Sequence, residues 1–347
     1  MALTPERKKK YDELEARVGR TPLIEINDRR FNIPRGNRIF AKKEYCSHTG
    51  SHYDRYWVKL LRIREEQDRI HPSQTFPLLE TTTGNSGAAF AWACRELGYP
   101  CEVFIPIDMP RARILQIEYY GAKVSYSPEH EYVRGLIRSF RERLKLKGNE
   151  YVITDHATDQ EDGVKAIYDL GNEIINDLGN MGVSSIDYFV SALGNGLTTR
   201  WIGQAFFDKF KDRTFIIGME PYESPTVFQT VFPDRFKREY LSSELNKEHE
   251  LIGTGPGETG FAFPNMRAMT DNNKIKDIYL EKHNEWTFRD NQLSSFIGEN
   301  VGHTSAACFD VAMKLANNGR VRDKNIVIIF YDAKWKYSER FPQEYRR

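Results

Sequence analysis

"VSALGNGLTTRW", residues 190–201, joins an apolar run to a glycine-rich turn and then to a helical pattern. The run is short and continuous, as a strand buried on both faces should be. Glycines let the backbone approach a ligand, and the free amides at the helix start point at it, which suits a phosphate. A dinucleotide would require G-x-G-x-x-G, and Thr199 holds the third glycine position. Glu220 follows the next apolar run, about where a ribose partner would sit, so the dinucleotide reading survives at this loop. A tight turn that binds nothing is the other alternative.

The same alternation extends in both directions. Strand-like runs are "RIFAKKEY" (38–45), "TFPLLETT" (75–82), "CEVFIPI" (101–107), "AKVSYS" (122–127), "YVITD" (151–155), "DYFVSAL" (187–193), "TFIIGME" (214–220) and "NIVIIFYD" (325–332). Helical patterns fall at 86–98, 111–121, 197–210 and 305–319, with Gly98, Gly121 and Gly319 placed where a left-handed C-cap is wanted. Such alternation predicts an α/β fold with mostly parallel sheets covered by helices. The region 232–300 is the least legible: "DRFKREYLSSELNKEHE" is polar and "GTGPGETGFAFPN" reads as loop.

At 347 residues the chain is long enough for two domains. Its 50 Lys and Arg nearly balance 49 Asp and Glu, so no global field draws nucleic acid or anionic lipid. The basic stretch "RSFRERLKLK" (138–147) reads as a solvated helix face. No apolar run approaches the ~20 residues of a membrane span. The charged start "MALTPERKKKYDELEARVG" lacks the apolar core of a signal peptide, which predicts a cytoplasmic protein. Cys46, Cys94, Cys101 and Cys308 have no paired spacing and read as reduced core thiols. No metal site is expected from the histidines.

A second strand–turn–helix unit is "ETTTGNSGAAFAW" (80–92). Thr82, Thr83, Asn85 and Ser86 set hydroxyl and amide groups beside a helix N-terminus, a cradle for a carboxylate. A simple capping turn would use the same residues. Two anion-suited loops favour a ligand carrying both a phosphate and a carboxylate.

With "VGRTPLIEI" (18–26), "TGSHYDR" (49–55), "MPRARILQIEYYGAKV" (109–124), "GMEPYESP" (218–225), "IGTGPG" (252–257) and "VGHTSAA" (301–307) in the same order, the chain resembles the fold type II pyridoxal-phosphate enzymes, cysteine synthase and cystathionine β-synthase in particular. The resemblance implies two α/β domains of the tryptophan-synthase-β-like type, with the ligand in the cleft between them. Residues 39–156 would form a smaller mobile domain, and 1–38 would join 157–347 in the larger one. It further implies a homodimer acting on a small amino acid with pyridoxal phosphate, by β-elimination or β-replacement. Asn85 would meet the ring hydroxyl. The amides of Gly194, Asn195, Gly196, Leu197 and Thr198 would hold the phosphate. Thr304, with Ser305 as a near alternative, would face the pyridine nitrogen. Thr82, Thr83, Gly84, Ser86 and Gly253 would hold the substrate.

One position departs. Where these relatives carry the Schiff-base lysine, between Ser51-His52 and Asp54-Arg55, this chain has Tyr53. A phenol forms no Schiff base, so covalent storage of the cofactor there is excluded. Lys59 lies six residues on and is turned away on a helix, and nothing aims Lys42 or Lys43 at a pocket. Tyr53 would then sit at the proton-transfer position, with an ordinary pKa of about 10 that makes a poor base. Ser51, His52 and His48 are the other candidates near it, since an imidazole titrates close to neutrality. His303 has a similar standing beside Thr304. The residue is either native or an introduced replacement of a lysine. The alternatives are a repurposed homologue binding an amino acid or a phosphorylated metabolite, and a packing tyrosine in a retired pocket.

Overall fold

The computed structural model describes residues 3–34, 36–240, 248–255 and 263–346. Residues 241–247 of the polar stretch, and Pro256 and Gly257 of "IGTGPG", lie outside them. The chain begins with α1 (Pro5–Arg17), β1 (Leu23–Glu25), β2 (Arg38–Lys43), α2 (Tyr53–Glu66), β3 (Leu78–Thr81), α3 (Asn85–Leu97), β4 (Cys101–Pro106), α4 (Arg111–Tyr119) and β5 (Lys123–Ser127). Next come α5 (Tyr132–Lys147), β6 (Val152–Ile153), α6 (Val164–Asn180), β7 (Tyr188–Ala192), α7 (Leu197–Phe210), β8 (Phe215–Pro221), α8 (Thr226–Val231) and α9 (Pro233–Glu239). The rest comprises α10 (Pro264–Asp271), β9 (Ile275–Glu281), α11 (His283–Ile297), α12 (His303–Ala316) and β10 (Asn325–Phe330).

These elements form two compact units. The first gathers Met1–Arg20, Tyr45–Ile167 and Asp332–Arg347; the second gathers Thr21–Glu44 and Tyr168–Tyr331.

In the first unit the sheet order is β5-β4-β3-β6, parallel throughout. Parallel neighbours need a crossover, and α3 and α4 supply those from β3 to β4 and from β4 to β5. Small residues let α3 pack closely: Ala88, Ala89, Ala91 and Ala93 are fully buried, with Phe90 and Trp92 between them. Leu79 and Phe104 on the sheet meet Leu136 and Phe140 of α5. That helix is not merely a solvated basic face, for Arg143 also reaches the buried Glu102.

In the second unit the order is β1-β2-β10-β7-β8-β9, parallel except for the antiparallel β1–β2 pair. Central β10 is buried from Ile326 to Phe330, which is why it reads as an unbroken apolar run. Strand β9 and helices α6 and α8 to α11 are among the elements the sequence hid. In β9, exposed and half-buried positions interrupt the apolar ones, and its pairing with β8 shifts register between Ile216 and Ile217.

Two expectations are corrected. Helix α12 ends at Ala316 with Asn317 as a right-handed C-cap, so Gly319 caps nothing, whereas Gly98 and Gly121 do take positive φ. Only Cys94 and Cys308 are core thiols; Cys46 is exposed and Cys101 half-buried. Among the described residues no helix is long and apolar enough to cross a membrane.

Candidate active site

The first unit carries the Tyr53 segment and the threonine–asparagine loop. Tyr53 is the first residue of α2, and His52 is the buried N-cap. Asp54 folds back to accept the Thr49 amide at 2.8 Å and the Thr49 hydroxyl. From the other side Gln116 donates to the Thr49 carbonyl at 2.9 Å and accepts from Lys336 Nζ at 3.0 Å. Ser51 pairs with Asp332 through an isolated antiparallel bridge, and its buried hydroxyl has no partner among the described residues. The segment is thus held rigidly at its backbone. The half-buried ring of Tyr53 lies 4.3 Å from that of His52 and meets His156 nearly edge-on at 5.1 Å. His48 is placed elsewhere, stacked on Trp92 at 4.6 Å.

In the loop after β3, the Thr82 hydroxyl accepts the amides of Gly84 at 2.8 Å and Gly87 at 3.1 Å, so it performs the capping role. Gly84 has φ +135°, and a Cβ there would overlap Arg113. The amides of Thr83, Asn85 and Ser86 have no partner among the described residues, and they form the open end of α3. The Ser86 hydroxyl is already engaged, donating to Glu80 Oε1 at 2.9 Å and accepting from Trp57 Nε1 at 2.9 Å. Asn85 donates Nδ2 to Asp332 at 2.7 Å, and its buried Oδ1 has no partner among the described residues. Asp332 also accepts from Arg113 at 3.0 Å.

Two groups here escaped sequence reasoning. Lys336 is fully buried beneath Gly50, and burial pushes its ammonium pKa down, opposed by Asp332 and reinforced by Arg113. Glu80, at the end of β3, is fully buried and hydrogen-bonded to His156 Nδ1. Burial raises the Glu80 carboxyl to about 7, against the lowering effect of the imidazole. Burial alone would depress His156, yet the charge and hydrogen bond of Glu80, with Asp155 and Asp159, hold it above its ordinary value. No local motif marks either group.

The second unit carries the glycine loop. Gly196 has φ +85° and is the N-cap of α7; Asn195 Oδ1 accepts the Leu197 amide at 3.0 Å. A Cβ on Gly194 would overlap the Gly253 carbonyl, and one on Gly196 the Met266 backbone. The amides of Gly194, Asn195 and Gly196 donate to no described group. Three unpaired amides at a helix start match what a phosphate requires. Leu197 and Thr198 are buried in the first turn behind them. Thr304, in the first turn of α12, donates to the Ile252 carbonyl at 3.3 Å, next to Gly253. Ser305 instead accepts the Tyr331 amide at 2.8 Å, and His303 stacks on Trp286 at 4.5 Å.

The dinucleotide alternative loses its acidic partner here. Glu220 is buried, with its carboxylate accepting the amides of Val227 at 3.0 Å and Phe228 at 2.7 Å, so it caps α8. Burial raises its pKa to about 8. Thr199 ties α7 to β7 through Ser191 at 2.8 Å. The alternative lysines are committed within this unit too: Lys42 to Glu173 and Asp177, both at 2.6 Å, and Lys43 to Glu299 at 2.8 Å.

A model of the pyridoxal-phosphate dependent enzyme family matches residues 14–332. Cysteine synthase B of Campylobacter jejuni is 24% identical over 306 residues, spanning 78% of this chain and 98% of that protein. Cystathionine beta-synthase of Apis mellifera is 25% identical over 334 residues, spanning 94% of this chain and 60% of that protein. Among solved structures, the O-acetylserine dependent cystathionine beta-synthase of Helicobacter pylori aligns with a TM-score of 0.79 at 23% identity, over 94% of this chain and 97% of that one. Cysteine synthase of Entamoeba histolytica aligns with a TM-score of 0.77 at 23% identity, over 97% and 92%. The two mostly parallel sheets described above are those of that fold.

Proposed function

The chain belongs to the pyridoxal-phosphate dependent enzyme family, and on that premise we propose that it acts on a serine- or cysteine-like amino acid by β-elimination or β-replacement, holding the cofactor without a lysine bond. Relatives named as cysteine synthases and cystathionine beta-synthases support the reaction class. The observation that carries the reading is the pair of open helix starts, at Gly194–Gly196 and at Thr83, Asn85 and Ser86, whose amides have no partner among the described residues. When bound, the cofactor supplies an aldehyde that condenses with the substrate amine and a ring that takes up electrons from Cα.

The chain's own residues bind and orient. Amides from Gly194 to Thr198 would take the phosphate, and Thr304 would face the ring nitrogen as a neutral hydroxyl. Such a partner leaves that nitrogen largely unprotonated, which favours chemistry at Cβ over transamination. Asn85 has committed its amide nitrogen to Asp332, so its free Oδ1 would accept from the ring hydroxyl. The amides of Thr83, Asn85 and Ser86, with Gly84 and Gly253, would hold the substrate. We assign Tyr53 to the position of the Schiff-base lysine because Ser51 and His52 precede it and Asp54-Arg55 follows. By the same resemblance the protein would be a homodimer, which sedimentation velocity checks.

Titration with pyridoxal phosphate should produce a visible absorbance band. Borohydride treatment followed by intact-mass analysis should add no cofactor mass. Mass on any lysine would overturn the non-covalent mode. Absence of any band would favour the second reading, a repurposed pocket for an amino acid or phosphorylated metabolite, which the packing of Tyr53 between His52 and His156 also supports.

A further inference from the structure

With tyrosine at position 53, the proposed reaction lacks an amine to move the Cα proton. We propose that His156, oriented by Glu80, is the general base and acid that replaces it; this rests on the function proposed above. The argument is geometric. His156 Nδ1 is hydrogen-bonded to Glu80 Oε1, and its backbone amide donates to Glu80 Oε2 at 3.2 Å. Ser86 donates to the same carboxylate at 2.9 Å and is itself held by Trp57 at 2.9 Å, so Glu80 cannot turn away. The opposite nitrogen, Nε2, has no hydrogen-bonding partner among the described residues, and the side chain keeps 10% of its surface exposed. A carboxylate on one imidazole nitrogen and a free second nitrogen is the arrangement that fixes the tautomer and raises basicity at the free end.

Position agrees. Glu80 lies in the last two residues of β3, two positions before the Thr82–Ser86 loop, and the imidazole lies edge-on to Tyr53. The other titratable groups around it are Asp155, Asp159 and Tyr56, and the last two are bonded to each other at 2.9 Å. Asp155 completes a trio with Glu80 and His156 whose ligand atoms lie within 4.8 Å of one another. A metal ion is a poorer occupant, because Nδ1 and Oε1 are in direct hydrogen-bond contact and would have to part to admit it.

The step balances without an added reagent. The substrate Cα–H bond breaks, its electron pair is taken up by the bound pyridoxal ring, and the proton forms an Nε2–H bond. In elimination the pair then returns to form the Cα–Cβ double bond as the Cβ substituent leaves with its own bonding electrons. His156 can return the proton to that leaving group or to Cα.

The test uses the full chain with pyridoxal phosphate and L-serine in deuterium oxide, reading loss of the Cα–H signal by NMR and cofactor uptake by absorbance. The expected result is exchange in the wild type, lowered about 10²–10⁴-fold in His156→Gln with cofactor uptake unchanged. In Glu80→Gln the pH midpoint of exchange should move down. Exchange in His156→Gln within threefold of wild type, with cofactor bound, overturns the assignment and leaves the proposed function standing. No cofactor uptake by the wild type overturns the proposed function and this inference with it. Should the variants misfold, labelled-histidine NMR of the unmodified protein decides: His156 titrating at an ordinary imidazole value overturns the assignment, and titration above it upholds the Glu80 pairing.

Discussion

At the scale of a residue, the proposed function turns on Tyr53. The backbone around it is braced by Asp54, Gln116 and the Ser51–Asp332 bridge, so a side chain exchanged at that position should not disturb the segment. Tyr53→Lys is therefore expected to fold and to convert non-covalent cofactor binding into a borohydride-trappable bond, read as added mass on residue 53. It should also raise turnover of O-acetylserine with a thiol by 10²-fold or more, about what positioned proton transfer contributes. A variant that binds the cofactor but gains neither mass nor rate would mean position 53 does not point at the cofactor. Glu80 makes a second prediction, of pH dependence. Its folded pKa, about 7, stands above the ordinary glutamate value, so its favourable contribution is complete below the unfolded value and is lost as pH rises through about 7. Chemical denaturation of wild type and Glu80→Gln should show the wild type losing stability across pH 4.5 to 7 relative to the variant. Parallel curves would contradict the upward shift that burial gives this carboxyl.

At the scale of an element, glycines with the same backbone sign should behave differently. Gly98 and Gly196 both have positive φ, but a Cβ at Gly98 meets nothing within 4 Å, while one at Gly196 overlaps the Met266 backbone. Gly98→Ala should cost only the left-handed strain, about 1–2 kcal/mol by thermal unfolding. Gly196→Ala should cost more and also weaken phosphate binding at least tenfold, because α7 must shift to relieve the overlap. Equal effects would mean the loop is not packed as described. The strand, turn and helix from Tyr188 to Phe210 were the most legible part of the sequence. A buried strand has an apolar signature, a glycine turn interrupts it, and the helix from Leu197 to Phe210 begins and ends where its periodicity does. The capping duties were not legible. Thr82 could be read as capping its helix or binding a carboxylate, and in the folded chain its hydroxyl accepts the amides of Gly84 and Gly87. Glu220 looked like a ribose ligand because sequence spacing carries no information about burial. Nor could the Glu80–His156 pair be read, since its members are 76 positions apart and Glu80 is one charged letter in an apolar run.

At the scale of the whole molecule, the prediction concerns how the cofactor stabilises the fold. A ligand that binds only the folded chain stabilises by mass action, about 2.7 kcal/mol at a hundredfold excess over its dissociation constant. A Schiff-base lysine would lock that gain in by a covalent bond. With Tyr53 in place it would rest on the amides of the glycine loop, on Thr304 and on Asn85, so it should rise and fall with free cofactor. Differential scanning fluorimetry should accordingly show a melting temperature that climbs with pyridoxal phosphate and returns to the unliganded value after dialysis. Pyridoxal, which lacks the phosphate, should produce little shift, since three of the unpaired amides that would hold the ligand belong to Gly194, Asn195 and Gly196. Inorganic phosphate at high concentration should compete. A shift that survives dialysis would require a covalent bond to some lysine. Lys336 would then be the first to examine, because burial lowers its pKa and favours the neutral, nucleophilic amine. The Lys336→Met variant would separate the cases: it should leave a reversible shift intact and abolish an irreversible one.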